Sequence, residues 1–123
     1  MPSVARTIIG EGKIIGLSTH SPAQTSHALG MNPDYIGVGP VYPTPTKQIA
    51  DPAIGISGMA TMLSLATVPA VAIGGIDLTN LRTVLAGGAK NFCMVRELIQ
   101  CEDPEEKLKE VAKIYREFWA GIM

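Results

Sequence analysis

Four short apolar runs, each followed by a stretch with helical periodicity, limit this chain to very few folds. The runs are residues 13–18 (KIIGLS), 34–39 (DYIGVG), 70–73 (AVAI) and 91–95 (NFCMV). They are continuously apolar rather than alternating, as expected of short strands buried on both faces. Helical patterns follow at 23–29, 57–66, 78–86 and 104–120, after a short helical lead-in at 4–9. In the second of these, Ile56, Met59, Ala60 and Leu63 share a face; in the last, Leu108, Val111, Ala112, Tyr115, Phe118 and Trp119 do so. Strands alternating with helices predict an α/β fold with a parallel sheet and right-handed crossovers.

Stop and start signals agree with these boundaries. Ser21 before Pro22 suits a helix N-cap, as do Asp77 and Asp103, the latter followed by Pro104 and by Glu106 in a capping-box-like spacing. Gly87-Gly88 ends the third helix. No linker, low-complexity tract or repeat divides the chain, so residues 1–123 are expected to form one domain of four β/α units.

Charged residues make up 17% of the chain, against about 25% in an average soluble domain. That shortage favours extensive burial, in a covered parallel sheet or at a subunit interface. A net charge of −1 gives no electrostatic reason to expect nucleic acid or an anionic membrane as partner. No apolar run is long enough to span a membrane. Cys93 and Cys101 form no CxxC pair and no signal peptide precedes them, so free thiols and a cytoplasmic location are expected.

In parallel α/β folds, ligands sit beyond the carboxyl ends of the strands. The first end reads Ser18-Thr19-His20-Ser21. Ser18, directly after the run, is placed to face a ligand; His20 suits a structural hydrogen bond more often than an acid–base role. The second end runs into GVGPVYPTPTKQ, where Pro40, Pro43 and Pro45 fix φ and remove three donors. A segment stiffened in this way can hold Thr44, Thr46 and Lys47 against a phosphate or diphosphate; an ordinary surface loop with a solvated lysine is the plainer alternative. The third end, Gly74-Gly75-Ile76-Asp77, allows close backbone approach at a helix start, an anion site in outline or merely a tight turn. At the fourth, Met94-Val95-Arg96-Glu97 enters a short helical turn of the kind barrel enzymes use for phosphate. Arg96 can contribute there through its side chain or its backbone N–H. Cys93 lacks an evident base and is expected to be a buried small hydrophobe, and Cys101, His27 and Trp119 to be structural or solvated.

The segments GLSTHS, DYIGVGPVYPTPTK, AVAIGGI and NFCMVREL, in this order, resemble the thiamine-phosphate synthase (thiamine-phosphate pyrophosphorylase) family from about residue 3 to the final helix. GPVYPTPTK is the specific element; IGGI occurs in many phosphate-binding barrels. The resemblance implies a TIM (β/α)₈ barrel that joins hydroxymethylpyrimidine diphosphate to thiazole phosphate and releases pyrophosphate, with Mg2+ as cofactor. By position, it implies that Ser18 and Lys47 bind the pyrimidine diphosphate. Thr44, Pro45 and Thr46 would touch the thiazole phosphate, and Gly75, Val95 and Arg96 would bind it through the backbone. Serine is common in the family at the position of Arg96 and occurs at that of Cys93.

Four β/α units match the second half of such a barrel. The first half carries the family's other diphosphate motif and its two magnesium-binding aspartates, so this chain is expected to lack the metal site and to have little activity alone. Two other functions fit the same residues: a thiazole tautomerase-like isomerase using His20, and a non-catalytic phosphate-binding half-barrel. An unclosed sheet would expose some of Ile15, Leu17, Ile36, Val38, Val71, Ile73 and Met94. A homo-oligomer, or a missing N-terminal half, is therefore expected as partner, with phosphorylated small molecules as ligands.

Overall fold

Each of the four apolar runs becomes a strand, but shorter than its run. The computed structural model describes residues 2–43 and 52–122. Along the chain lie α1 (Pro2–Ile9), β1 (Gly16–Thr19), α2 (Pro22–Leu29), β2 (Tyr35–Val38), α3 (Gly55–Leu65), β3 (Ala70–Ala72), α4 (Leu81–Ala86), β4 (Asn91–Phe92), α5 (Arg96–Ile99) and α6 (Pro104–Ile122). The strands form one parallel sheet in the order β1-β2-β3-β4.

The shortening has local causes. β1 begins at Gly16 rather than at residue 13 because Ile15 N donates to the Asp34 carboxylate at 2.7 Å while Asp34 N donates back to Ile15 O at 2.8 Å. A side chain thus takes one place in the ladder. Arg6 Nη2 donates to the same carboxylate at 2.9 Å, and Arg6 also bonds Lys13 O. With the Ile15 amide bonded to it and the Arg6 guanidinium beside it, Asp34 titrates below the usual carboxylate range. α4 begins at Leu81, not at residue 78, because Asp77 and Asn80 bond each other's backbone. Asn80 N donates to Asp77 Oδ1 at 3.1 Å, and Asp77 N to Asn80 Oδ1 at 2.9 Å. Asp77 therefore builds the turn before the helix, and Asn80 is the N-cap position. Ser21 caps α2 as expected, accepting from Gln24 N at 3.1 Å, and Asp103 caps α6, accepting from Glu106 N at 3.2 Å.

The register decides which side chains are covered. Ile36, Val38, Ala70 and Ala72 point to the helices and are buried with Met59 and Met62 of α3 and Leu81, Val84 and Leu85 of α4. Ile36 and Val38 are thus core residues rather than candidates for an exposed face. α6 joins this core through Val111, Ile114, Tyr115 and Phe118. Leu108, assigned to the same stripe by periodicity, is 52% exposed; its neighbours Glu106, Lys107 and Glu110 border a cavity.

The opposite face of the sheet is open. Tyr35 lies there at 40% exposure, its ring filling the space where a Cβ on Gly16 would stand. Ile73, also 40% exposed, and Cys93 share this face. Cys93 is therefore exposed, not buried, because the period of two puts it opposite to Phe92. Large apolar side chains are also exposed in the segments that precede β1 and follow β4 along the chain: Val4, Ile8, Ile9 and Ile14 before β1, and Val95, Ile99 and Leu108 after β4. Among the described residues, only Leu65 breaks this pattern. None of their helices is long and apolar enough to cross a membrane.

Candidate functional site

The carboxyl ends of β2 and β3 are interlocked by backbone hydrogen bonds. Ile73 N donates to Val38 O at 3.0 Å, Val41 N to Ile73 O at 2.9 Å, and Tyr42 N to Gly74 O at 3.0 Å. So close an approach leaves no room for a Cβ. One on Gly74, at φ +107°, would stand 2.5 Å from Pro40 Cα. One on Gly75, at φ +66°, would stand 2.7 Å from Tyr42 Cβ and 3.0 Å from Pro43 O. The two glycines are there because the neighbouring backbone occupies the space any other residue needs. Asn80 Nδ2 donates to Gly75 O at 2.9 Å, tying this turn to the start of α4. Tyr42, pressed against it, has its phenol pK raised by burial, with Asp77 adding to the shift.

The proline-rich segment leaves the sheet here. Ile54 N donates to Pro40 O at 2.8 Å and Gly55 N to Val41 O at 2.9 Å, so the chain returns beside the point where it departs. Thr44, Pro45, Thr46 and Lys47 lie outside the described residues.

At the end of β1, Thr19 is buried and its Oγ1 donates to Gly37 O at 2.7 Å, while Thr25 Oγ1 lies 3.1 Å from it. Ser18, on the opposite side of the strand, is exposed. His20 Nδ1 donates to Gly39 O at 2.8 Å, and His20 N to Gln24 Oε1 at 2.8 Å. The histidine therefore staples the ends of β1 and β2, the structural role its position suggested.

At the end of β4, Cys93 N donates to Ala72 O at 2.8 Å, the ladder stops, and Val95 becomes the N-cap position of α5. Arg96 opens that helix with its side chain exposed. Lys107 Nζ on α6 sits 3.5 Å from Glu97 Oε1 on α5.

A cavity of about 870 Å³ spans all four strand ends. Ser18, Gly75, Val95 and Arg96 line it together, with His20, Pro43, Cys93 and Lys107. The sequence pattern had not singled out Lys107 or Asn80. Lys107 had a signal: a lysine in an otherwise acidic first turn opposes the helix dipole, which needs a local reason. Asp77, Glu97, Glu102, Asp103, Glu106 and Glu110 also line the cavity, and Lys107 is paired with Glu97. The part that suits an anionic group is therefore the strand-end side, where the Ser18 hydroxyl, the left-handed glycine turn and Arg96 lie. Among the described residues no three His, Cys, Asp or Glu side chains are grouped to hold a metal ion.

The thiamine monophosphate synthase family profile matches residues 1–98. A thiamine-phosphate synthase of Lawsonia intracellularis is 43% identical over 106 residues, 86% of this chain and 49% of that protein. One of Dictyoglomus thermophilum is 38% identical over 118 residues, 96% of this chain and 53% of its own length. The solved thiamine phosphate pyrophosphorylase of Pyrococcus furiosus superposes with a TM-score of 0.85 at 31% identity, covering 96% of this chain and 55% of that one. The chain thus spans about half the length of the relatives it matches. In sequence and in fold, this chain belongs to the thiamine monophosphate synthase family.

Proposed function

We propose that this chain contributes half of a thiamine-phosphate synthase site, the half that grips the phosphate of the thiazole nucleophile and part of the departing diphosphate. The observation that carries this is the cavity at the strand ends, which Ser18, Gly75, Val95 and Arg96 all line. In the reaction, the bond from the pyrimidine methylene to the diphosphate oxygen breaks, and the electron pair leaves with the pyrophosphate. The thiazole nitrogen then donates its lone pair to the methylene carbon. Ser18 and Lys47 stabilise the charge growing on the leaving group. The Gly75 turn and the Val95-Arg96 backbone hold the thiazole phosphate, with Thr44, Pro45 and Thr46 closing on it, so that the nitrogen is in line. Magnesium, which this family uses, would be held by residues outside those described here, and no step is assigned to it. Activity needs the rest of a barrel, from an N-terminal half or from another copy of the chain. The reaction is a cytoplasmic one.

The first test is a titration with thiazole phosphate followed by amide shifts. Gly75, Val95 and Arg96 amides are expected to move at millimolar ligand; if they stay fixed, the site is wrongly assigned. The second is turnover. Alone, the chain should form little thiamine phosphate. Fused behind the first half of a relative it should form it, and Lys47→Ala should then lower turnover about 100-fold or more. An unchanged rate in that variant would reduce Lys47 to a surface lysine.

A further inference from the structure

Among the described residues, β1 and β4 are the edge strands of the sheet. Among the described residues no strand pairs with the outer side of β1 or of β4. Exposed apolar side chains stand on the segments next to these two strands along the chain, Ile8 and Ile14 before β1 and Ile99 and Leu108 after β4, while Tyr35 and Ile73 stand on the open face of the sheet. A parallel sheet of this kind is stable when both faces are covered, and a row of unpaired backbone groups is a template for another strand.

We infer that a second copy of this chain covers this face, with β4 of each copy laid beside β1 of the other around a two-fold axis along the strand direction. Rotation about that axis keeps all strands parallel, so one seam, made twice, satisfies both open edges. Two copies supply eight strands, the number that closes a TIM barrel. They also supply about the length of one relative, since a single copy spans 53% of one and 55% of another. β4 has only two residues, so most of the contact at each seam is apolar rather than ladder hydrogen bonding. The arrangement rests on the barrel reading above and changes the site. Ser18 and Arg96 lie on opposite edges of one sheet, three strand spacings or about 14 Å apart by the usual spacing. Across a seam they become neighbours, so each complete site draws on both copies.

Sedimentation at 1 to 100 μM (a range about any micromolar dissociation constant) should give a species of twice the 13.0 kDa chain mass. Ile99→Asp with Leu108→Asp should weaken it by about tenfold or more. Should that variant fail to fold, a cross-link decides. In a Ser18→Cys, Cys101→Ala chain, mild oxidation should join the introduced thiol to Cys93 of another copy and give a covalent dimer, whereas Cys101→Ala alone should not. A monomer throughout this range with a cooperative melt independent of concentration overturns the inference, even if it pairs with the first half of a relative. A monomer whose Gly75 and Arg96 amides still respond to thiazole phosphate overturns the dimer alone. A dimer without that response supports the dimer and overturns the proposed function.

Discussion

The ends of β2 and β3 and the end of β4 border the same cavity by opposite means. At the first, backbone packs on backbone: residues 40–42 run against 73–74, and Gly74 and Gly75 have no space for a Cβ. At the second, the ladder stops after one bond from Cys93 N, and Val95, Arg96 and Cys93 are exposed. A site built of main chain is rigid but coupled to the stability of the sheet. A site lined by exposed side chains can change its chemistry with little effect on folding.

Gly74→Ala tests the coupled end most severely. A left-handed alanine costs about 1–2 kcal/mol and a forced overlap about 1–3 more, so a loss of about 3 kcal/mol is expected in urea unfolding. Gly75→Ala should cost somewhat less and should abolish the ligand-induced shifts; normal stability in both would show that the turn is not sterically fixed. Next comes Thr19→Val, which leaves Gly37 O and the Thr25 hydroxyl without the buried partner they share. About 1–2 kcal/mol should be lost, with no change in phosphate affinity at saturation. Arg96→Ala probes the other end. Stability should move by less than about 0.5 kcal/mol while phosphate binding weakens at low salt; a large stability loss would erase the contrast between the ends.

The smallest effect lies at the far pole of the sheet. Asp34 titrates below an ordinary aspartate, so its contribution to stability is present above the unfolded-state pK and is lost as the pH falls through the lower folded-state value. Asp34→Asn should therefore be less stable than wild type at neutral pH, with the difference closing in acid below about pH 4. A constant difference across the titration would mean that the carboxylate charge is not what holds Ile15 and Arg6.

The order of strands and helices was legible because it depends on the apolar runs and the caps, and both are local. Ser21, Asp103 and Gly87 mark helix ends by chemistry that needs no distant partner. Legibility ended where a distant group took over a local role. Asp34 displaces the start of β1 from nineteen residues away, and Asn80 answers Asp77 before α4 can begin. The side on which Ile36 and Val38 lie was equally hidden, because a continuous apolar run carries no face signal. The glycine pair was visible as a possible anion turn; that Pro40 and Tyr42 are what exclude a Cβ was not.

α1 buries none of its residues, and its described side-chain attachment to the rest of the fold is Arg6, reaching Lys13 O and the Asp34 carboxylate. Eight residues are too few to stay helical in water unaided. The helix should therefore open as a local unit without disturbing the sheet, and its amides should exchange with solvent at a small fraction of the global unfolding free energy. Those of Ile36 and Val38 should exchange only when the whole sheet comes apart. Time, as much as space, then separates the lead-in from the core: one fluctuates many times during the lifetime of the other.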